Sequence, residues 1–261
     1  MNLNDRVAII TGAGSGIGAA CAHAFAAKGA RVAVVDVNAD GARTTAESID
    51  GLAVPCDIAD EGAVNAMVAE VEAELGCIDI LFNNAGVASG GNPIDTPIPV
   101  WESQWQINVM SHIYAIRAVL PGMLQRGGGY VLHTASMAGI LSTHGNLTYA
   151  ATKHAVVGIA EWMAFTYHHR GIRTSLLAPL GVRTPMLGNP TDAATLRTAG
   201  PIKEPEEVAQ MVVDAIEQER FLILTDPLAQ KWMTNKTGDI ERWLSGMNRV
   251  QQQFEAARRN R

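Results

Sequence analysis

The stretch that decides the fold is Arg6–Gly18, with the sequence RVAIITGAGSGIG. It begins with an apolar run typical of a central parallel strand that is buried on both faces. It ends in glycines that open an alanine-rich helical stretch from Gly16 to Lys28. Glycines at such a turn let the backbone bend tightly and approach a pyrophosphate, whose charge is favoured by the free N–H groups of the helix N-terminus. The stretch therefore predicts a strand, a dinucleotide-binding turn and a helix.

The pattern of this turn is T-G-x-x-x-G-x-G rather than G-x-G-x-x-G, because Ile17 occupies the position of the last glycine. Asp36 ends the second predicted strand, where a carboxylate can accept hydrogen bonds from the ribose hydroxyls of NAD and would repel the 2′-phosphate of NADP. Neither Ser15 nor Val37 supplies a compensating cation. We therefore expect NAD as the cofactor.

The alternation of strand and helix continues along the chain. Further strands are predicted at 31–36, 52–56, 78–82, 130–134, 173–178 and 221–224, and helices near 40–49, 61–75, 100–125, 149–169 and 206–217. This order predicts an α/β fold with a Rossmann-like, doubly wound parallel sheet and helices on both faces. No linker composition or repeat appears, so we predict one domain over 1–261, with a lid at about 185–203 and a C-terminal helical extension at about 226–261.

The composition argues against several classes of protein. Apolar residues make up 48% and charged residues 18% of the 261 residues, which permits a large core. The net charge of −6 leaves no general attraction to nucleic acid. Cys21, Cys56 and Cys77 form no C-x-x-C pair, and neither a signal-peptide pattern nor a stretch of about 18 uncharged apolar residues is present. We expect a soluble cytoplasmic protein without nucleic-acid or membrane partners.

Ser136, Tyr149 and Lys153 form the candidate catalytic group. Tyr149 and Lys153 are four residues apart on a predicted helix, so their side chains share a face. A phenol has an unperturbed pKa of about 10, and a neighbouring ammonium stabilises the phenolate and lowers that pKa. We expect Tyr149 to exchange a proton with an alcohol or a ketone. No metal site is expected, because the adjacent His168 and His169 would point to different faces of a helix.

These motifs, together with the Asn83-Asn84-Ala85-Gly86 block and Asn108, resemble the short-chain dehydrogenase/reductase family over about residues 5–225. The resemblance implies that Tyr149 is the general acid/base and that Ser136 hydrogen-bonds the substrate oxygen. Lys153 would bind the nicotinamide ribose and lower the pKa of Tyr149. Asn108 would hold a water that links Lys153 to solvent.

The resemblance also implies which residues contact the cofactor. They are Gly12, Ser15, Gly16, Ile17, Gly18, Asp36, Asp57, Ile58, Asn83, Ala85, Gly86, Tyr149, Lys153, Pro179, Val182 and Thr184. The loop after the sixth strand departs from the family pattern N-P-G-x-V-x-T, since Ala178 replaces the asparagine and Leu180 the glycine. The backbone path of this loop is therefore open, and Leu180 is expected to narrow the pocket or make it more apolar.

By the same resemblance, the substrate contacts are Met137, His144, Met186 and Leu187. They are mostly apolar, and the nearby Arg183 and Arg197 are expected to be surface charges. We predict a hydrophobic secondary alcohol or ketone as substrate, with His144 able to bind a second substrate oxygen. Two alternatives remain. One is a 3-oxoacyl thioester reductase, for which the family usually takes NADP, and the other is a non-catalytic NAD-binding sensor, which usually loses part of the Ser, Tyr, Lys set.

The helices that follow the fourth and fifth strands carry apolar residues on more than one face, at 107–124 and 155–165. Related folds assemble through these helices, so we expect a homodimer or homotetramer. An apolar stripe from Trp243 to Phe254 could cover the active-site mouth, but we expect it to pack on the domain.

Overall fold

The computed structural model describes residues 1–187 and 200–259, with side chains described up to residue 256. Within these residues, seven strands form one parallel sheet in the order β3-β2-β1-β4-β5-β6-β7. The strands are β1 (Val7–Thr11), β2 (Arg31–Asp36), β3 (Leu52–Pro55), β4 (Ile80–Asn83), β5 (Gly129–Thr134), β6 (Ile172–Ala178) and β7 (Leu222–Leu224). The chain builds outward from β1 to β3 and then returns to place β4 on the other side of β1. This reversal is the point at which open α/β sheets bind ligands.

Helices cover both faces of the sheet, which confirms the predicted doubly wound α/β fold. They are α1 (Gly16–Ala27), α2 (Ala39–Ser48), α3 (Glu61–Leu75), α4 (Ile98–Trp105), α5 (Ser111–Arg126), α6 (Ala138–Leu141), α7 (Leu147–Tyr167), α8 (Pro205–Glu217), α9 (Pro227–Gly238) and α10 (Ile240–Arg259). A π-helical turn, Gln106–Met110, joins α4 to α5, and a 3₁₀ turn, His168–Arg170, follows α7.

The core has two halves, one on each face of the sheet. On one face α1 packs against α8, and the rings of Phe25 and Phe82 stack with centroids 6.4 Å apart. On the other face α3 packs against α5. Ile9 and Ile10 of β1 belong to opposite halves, and both are fully buried. The uniformly apolar sequence of this strand is explained by that two-sided burial.

The structure differs locally from the sequence expectations. The predicted long helix ending near residue 125 is divided by the π-helical turn, and α6 was not predicted. The predicted C-terminal helical extension consists of two helices, α9 and α10. The central part of the predicted lid, 188–199, lies outside the described residues, and Arg197 lies there with it.

One segment of the described residues, Ile98–Arg126, is long and apolar enough to cross a membrane by length and composition alone. Half of its most apolar window is buried inside the protein. Its α5 part contacts α3, β4 and β5. These are the contacts of a core helix packed on a sheet.

Candidate active site

A cavity of about 890 Å³ lies at the carboxyl-terminal edge of the sheet. Its walls are residues that follow β1, β2, β3, β4, β5 and β6, so the cavity sits at the point where the strand order reverses. The volume is in the range of about 300 to 1,000 Å³ that is usual for small-molecule and cofactor sites.

The glycine turn after β1 forms one wall of this cavity. Gly12 and Gly16 have φ of +65° and +56°, a region that side-chain-bearing residues rarely adopt. A Cβ atom on Gly12 would lie 2.8 Å from Ala85 Cα, and one on Gly18 would lie 2.3 Å from Gly12 O. Ser15, the N-cap of α1, makes no side-chain capping bond, so the first N–H groups of α1 are available to a ligand. This cradle fits a pyrophosphate group.

Asp36 lies on the cavity wall at the end of β2. Its Oδ2 accepts a hydrogen bond from Gly14 N at 2.9 Å, and its Oδ1 accepts one from Asn38 N at 2.9 Å. The carboxylate is therefore held against the glycine turn, as a group that recognises ribose hydroxyls must be. Among the described residues that line the cavity, Lys153 is the one lysine or arginine, so no cation there offsets Asp36.

Ser136, Tyr149 and Lys153 meet on the same cavity. Tyr149 and Lys153 share one face of α7, whose N-cap, Asn146, accepts a hydrogen bond from Tyr149 N at 3.0 Å. The ammonium of Lys153 lies 5.7 Å from the centroid of the Tyr149 ring. It also donates to Thr134 O at 2.8 Å, which ties it to the end of β5. The residues predicted to be catalytic on α7 and after β5 are thus brought together.

The pKa of Tyr149 does not follow the sequence expectation. Burial raises the pKa of Tyr149 above its usual value, and the hydrogen bond with Ser136 only partly lowers it. Burial also lowers the pKa of Lys153 to about 8, since a buried ammonium is poorly solvated. In the protein alone, desolvation therefore outweighs the effect expected from the lysine, and Tyr149 holds its proton.

Asn108 does not line the cavity among the described residues. It lies in the π-helical turn, fully buried. Its Oδ1 accepts from Val87 N at 2.8 Å, and its Nδ2 donates to Val87 O at 2.9 Å and to Thr152 Oγ1 at 3.0 Å. The side chain fixes the loop after β4 against α7. Its predicted role in holding a water stays a prediction.

Two predicted cofactor contacts do not face the cavity. Asn83 is the last residue of β4 and is 3% exposed. Gly18 lies inside the turn, where a Cβ atom on it would be 2.3 Å from Gly12 O. The neighbouring Asn84 lines the cavity instead. Its Nδ2 donates to Thr11 O at 3.0 Å, and its Oδ1 accepts from Thr134 Oγ1 at 3.1 Å. Strand alternation explains the difference, because adjacent side chains point to opposite faces.

The remaining predicted cofactor contacts line the cavity. They are Gly12, Ser15, Gly16, Ile17, Asp36, Asp57, Ile58, Ala85, Gly86, Tyr149, Lys153, Pro179, Val182 and Thr184. Thr184 lies across from the glycine turn, since a Cβ on Gly16 would be 3.0 Å from its Cγ2. That each of these residues contacts the cofactor stays a prediction.

The unusual loop after β6 has a defined path. Leu180 N donates to Thr225 Oγ1 at 3.1 Å, which anchors the loop to the end of β7. Leu180 lines the cavity and packs with the apolar cluster around Met137. Val182 and Lys203 form a parallel bridge, so the two ends of the predicted lid are joined beside the cavity. Thr225 was missed because its partner is a backbone N–H far away in sequence.

All four predicted substrate residues, Met137, His144, Met186 and Leu187, line the cavity. Arg183 does not; its Nε pairs with Glu204 Oε1 at 2.7 Å. The predicted surface role of Arg183 agrees with this pairing.

The C-terminal helices supply a wall that the sequence did not predict. Trp232 of α9 and Gln251, Phe254 and Glu255 of α10 line the cavity. Trp243 packs on the apolar cluster around Met137. The apolar stripe therefore packs on the domain at its start, as expected, but it reaches the cavity at Phe254.

The comparisons with known proteins point to one family. Residues 6–194 match the family model for short chain dehydrogenases. A D-threitol dehydrogenase from Mycolicibacterium smegmatis is 40% identical over 187 residues, which are 70% of this chain and 72% of that protein.

Two solved structures are similar to this one. A short chain dehydrogenase/reductase from Burkholderia phymatum in complex with NAD superposes with a TM-score of 0.84 at 29% identity, covering 92% of this chain and 96% of that chain. A 3-ketoacyl-(acyl-carrier-protein) reductase from Brucella melitensis complexed with NADH superposes with a TM-score of 0.79 at 28% identity, covering 85% and 96%. With the family model matching most of its length, this chain belongs to the short-chain dehydrogenase family and is an oxidoreductase.

Proposed function

We propose that this protein is an NAD-dependent oxidoreductase that interconverts a hydrophobic secondary alcohol and its ketone. The observation that carries the proposal is that Ser136, Tyr149 and Lys153 share one cavity with the glycine turn and with Asp36. A dinucleotide held by the turn and an alcohol held by Ser136 would therefore occupy the same space. The solved relative from Burkholderia phymatum, whose structure contains NAD, supports the choice of cofactor.

The proton chemistry rests on the protein's own side chains. In alcohol oxidation the phenolate of Tyr149 removes the hydroxyl proton, and in ketone reduction the phenol returns it. Ser136, which hydrogen-bonds Tyr149, orients the substrate oxygen toward the phenol. Bound NAD supplies the acceptor for the hydride from the carbinol carbon. Lys153 would hold the nicotinamide ribose hydroxyls when the cofactor is bound, and its ammonium, 5.7 Å from the centroid of the Tyr149 ring, would stabilise the phenolate.

The proposed preference for NAD follows from charge. The Asp36 carboxylate lies on the cavity wall against the glycine turn, where we expect the adenosine ribose, and Val37 beside it carries no charge. The 2′-phosphate of NADP would be repelled by this carboxylate. Among the described lining residues, no lysine or arginine lies beside Asp36 to offset that repulsion.

The proposed substrate class follows from the rest of the cavity. Met137, Leu141, Leu180, Leu187, Trp232 and Phe254 form apolar walls. The one ammonium or guanidinium among the described lining residues, Lys153, is engaged in the catalytic group. A substrate that carries a carboxylate or phosphate inside the cavity would therefore lack a partner there.

A 3-oxoacyl thioester reductase is the second candidate, because the solved relative from Brucella melitensis is such an enzyme and contains NADH. A non-catalytic sensor is disfavoured by the complete Ser, Tyr, Lys set.

The test is a steady-state assay with NAD or NADP, using secondary alcohols and a 3-oxoacyl thioester, for the wild type and for Tyr149→Phe. Alcohol oxidation with NAD that is lost in Tyr149→Phe supports the proposal. Turnover of the thioester alone favours the second candidate, and NAD binding without any turnover favours the sensor.

We further propose self-association through a groove between α5 and α7 and a cytoplasmic location. The groove is lined mainly by apolar residues, among them Ile116, Leu120, Ile159 and Trp162, with Arg117 beside them. Trp162 is 51% exposed and Phe165 on the same helix is 71% exposed, which is unusual for a free surface. A second copy of the chain would cover both. A light-scattering mass equal to one 27.8 kDa protomer would contradict the assembly.

A further inference from the structure

We propose that the substrate carries a second hydroxyl group and that His144 recognises it, with its tautomer fixed by the C-terminal helix. The inference rests on the proposed function, and it narrows the substrate to a diol or the corresponding hydroxyketone. It starts from a chain of three polar side chains, His144, Gln251 and Glu255, all of which line the cavity. Two of them belong to α10, more than 100 positions after His144.

The orientation of the Gln251 amide follows from Glu255. Gln251 Nε2 lies 3.0 Å from Glu255 Oε1, and a carboxylate oxygen can only accept a hydrogen bond. The amide nitrogen of Gln251 therefore faces Glu255, and its Oε1 faces the other way. Gln251 Oε1 lies 3.0 Å from His144 Nδ1.

This orientation fixes the proton on His144. An amide oxygen only accepts, so Nδ1 of His144 must donate and must carry the hydrogen. In the neutral ring the other nitrogen, Nε2, then holds a lone pair. The hydrogen-bond network thus assigns His144 as an acceptor at Nε2.

Nε2 of His144 has no hydrogen-bond partner among the described residues and is shielded from water. A buried acceptor without a partner is destabilising, so this nitrogen favours a ligand that brings a donor. The ring of Phe254, which also lines the cavity, lies against the imidazole at 5.2 Å between centroids. Phe254 is therefore a side chain that a substrate reaching Nε2 from the cavity would displace.

The donor that a neutral alcohol or hydroxyketone brings is a hydroxyl. An ether or ketone oxygen at this place would meet the lone pair of Nε2, which repels an acceptor. A hydroxyl donates to Nε2 and adds no charge to a mostly apolar cavity. The reacting hydroxyl is held by Ser136 and Tyr149, so the hydroxyl at His144 is a second one on the same molecule.

The substrate test compares three alcohols that share a ring: cyclohexanol, cyclohexane-1,2-diol and 2-methoxycyclohexanol. The diol is expected to have a kcat/KM about tenfold or more above the ether, because only the diol satisfies Nε2. His144→Phe, which keeps a planar ring without nitrogen, is expected to remove this preference, and Gln251→Leu to weaken it. Gln252→Leu is the matched control, since Gln252 pairs with Asn248 on α10 and does not line the cavity.

The tautomer test needs no turnover. In ¹⁵N-histidine-labelled protein bound to NADH, a long-range ¹H–¹⁵N correlation spectrum is expected to show His144 protonated at Nδ1 and bare at Nε2, with the signals assigned by their loss in His144→Phe. In Gln251→Leu the proton of His144 is expected to be no longer fixed on Nδ1, whereas in Gln252→Leu it is expected to stay there. A proton on Nε2 in the wild type would overturn the inference, whatever the enzyme oxidises.

The outcomes separate the inference from the proposed function. Oxidation of cyclohexanol with equal kcat/KM for the diol and the ether overturns the inference and leaves the proposed function standing. Turnover of none of the three alcohols with either cofactor, on protein that binds NADH, overturns the proposed function and the substrate assignment together.

Discussion

Acid is expected to destabilise this protein through a buried pair of histidines, His112 of α5 and His133 of β5. Their Nδ1 atoms lie 2.9 Å apart, and both residues are at most 1% exposed. One Nδ1 must donate and the other must accept, so the pair holds a single proton between the two rings. A second proton there would place two N–H groups face to face.

The pKa values agree with this geometry. Burial lowers the pKa of His133 to about 3. Burial, the neighbouring His133 and the charge of Lys153 together hold the pKa of His112 well below its usual value. The unfolded chain takes up these protons near pH 6.5 and the folded protein does not, so the stability that the neutral pair confers is present above pH 6.5 and is lost as the pH falls toward 3.

The size of the effect follows from these values. Lowering the pH from 7 to 5 costs about 2 kcal/mol for each histidine that stays neutral in the folded state, or about 4 kcal/mol for the pair. That is a large share of the 5–15 kcal/mol typical of folded proteins. The pKa values of the Glu207 and Glu219 carboxyls are lowered from 4.5 in the folded protein, so the stability that these groups contribute is lost mainly below pH 4.5.

The assay is urea unfolding at pH 7 and pH 5, at constant ionic strength and protomer concentration. The double variant His112→Leu/His133→Leu removes both groups, and it is expected to lose much less stability between the two pH values than the wild type. His169→Gln, which removes an exposed histidine, is the control and is expected to behave like the wild type. An equal pH dependence in the double variant and the wild type would refute the reasoning.

Three further predictions concern the cofactor site and the assembly. Gly12→Ala puts a Cβ atom 2.8 Å from Ala85 Cα at a φ of +65°, so the affinity for NADH, measured by fluorescence, should weaken about tenfold or more. Gly238→Ala is the control, because a Cβ atom there would have nothing within 4 Å, and this variant should bind NADH as the wild type does. Asp36→Ser removes the carboxylate from the ribose wall, so the ratio of kcat/KM for NAD over NADP should fall about tenfold; an unchanged ratio would mean that Asp36 does not select the cofactor. Trp162→Glu places a charge in the groove between α5 and α7 and should shift the light-scattering mass to one protomer, whereas Ile94→Glu, at a residue 90% exposed, should not.

Local patterns in the sequence predicted most of the fold and part of the site. The glycine turn, Asp36 and the Tyr149–Lys153 pair are recognised from residues close together in the sequence. The alternation of strands and helices along the chain predicted the parallel sheet. The order of elements therefore follows from short-range information. Asn83 was predicted as a cofactor contact and Asn84 was missed, because adjacent amides at a strand end can be told apart only once the register of β4 is known.

The features that were missed depend on contacts between distant parts of the chain. Thr225 anchors Leu180, and Gln251 and Phe254 reach the cavity from α10, although nothing in their local sequence marks them as site residues. The pKa of Tyr149 was expected to fall because a lysine is near, but burial, which the sequence does not reveal, raises it. Desolvation is a property of the packed cavity rather than of the motif.

The measurement that tests the central claim most directly is hydride transfer from a labelled alcohol. A secondary alcohol that the enzyme oxidises is prepared with deuterium on the carbinol carbon, and the reduced cofactor is analysed by mass spectrometry. We predict that one deuterium moves from the carbinol carbon to NAD in the wild type and that Tyr149→Phe, which still binds NADH, forms no labelled product. Reduced cofactor without deuterium, or undiminished transfer in Tyr149→Phe, would contradict the account.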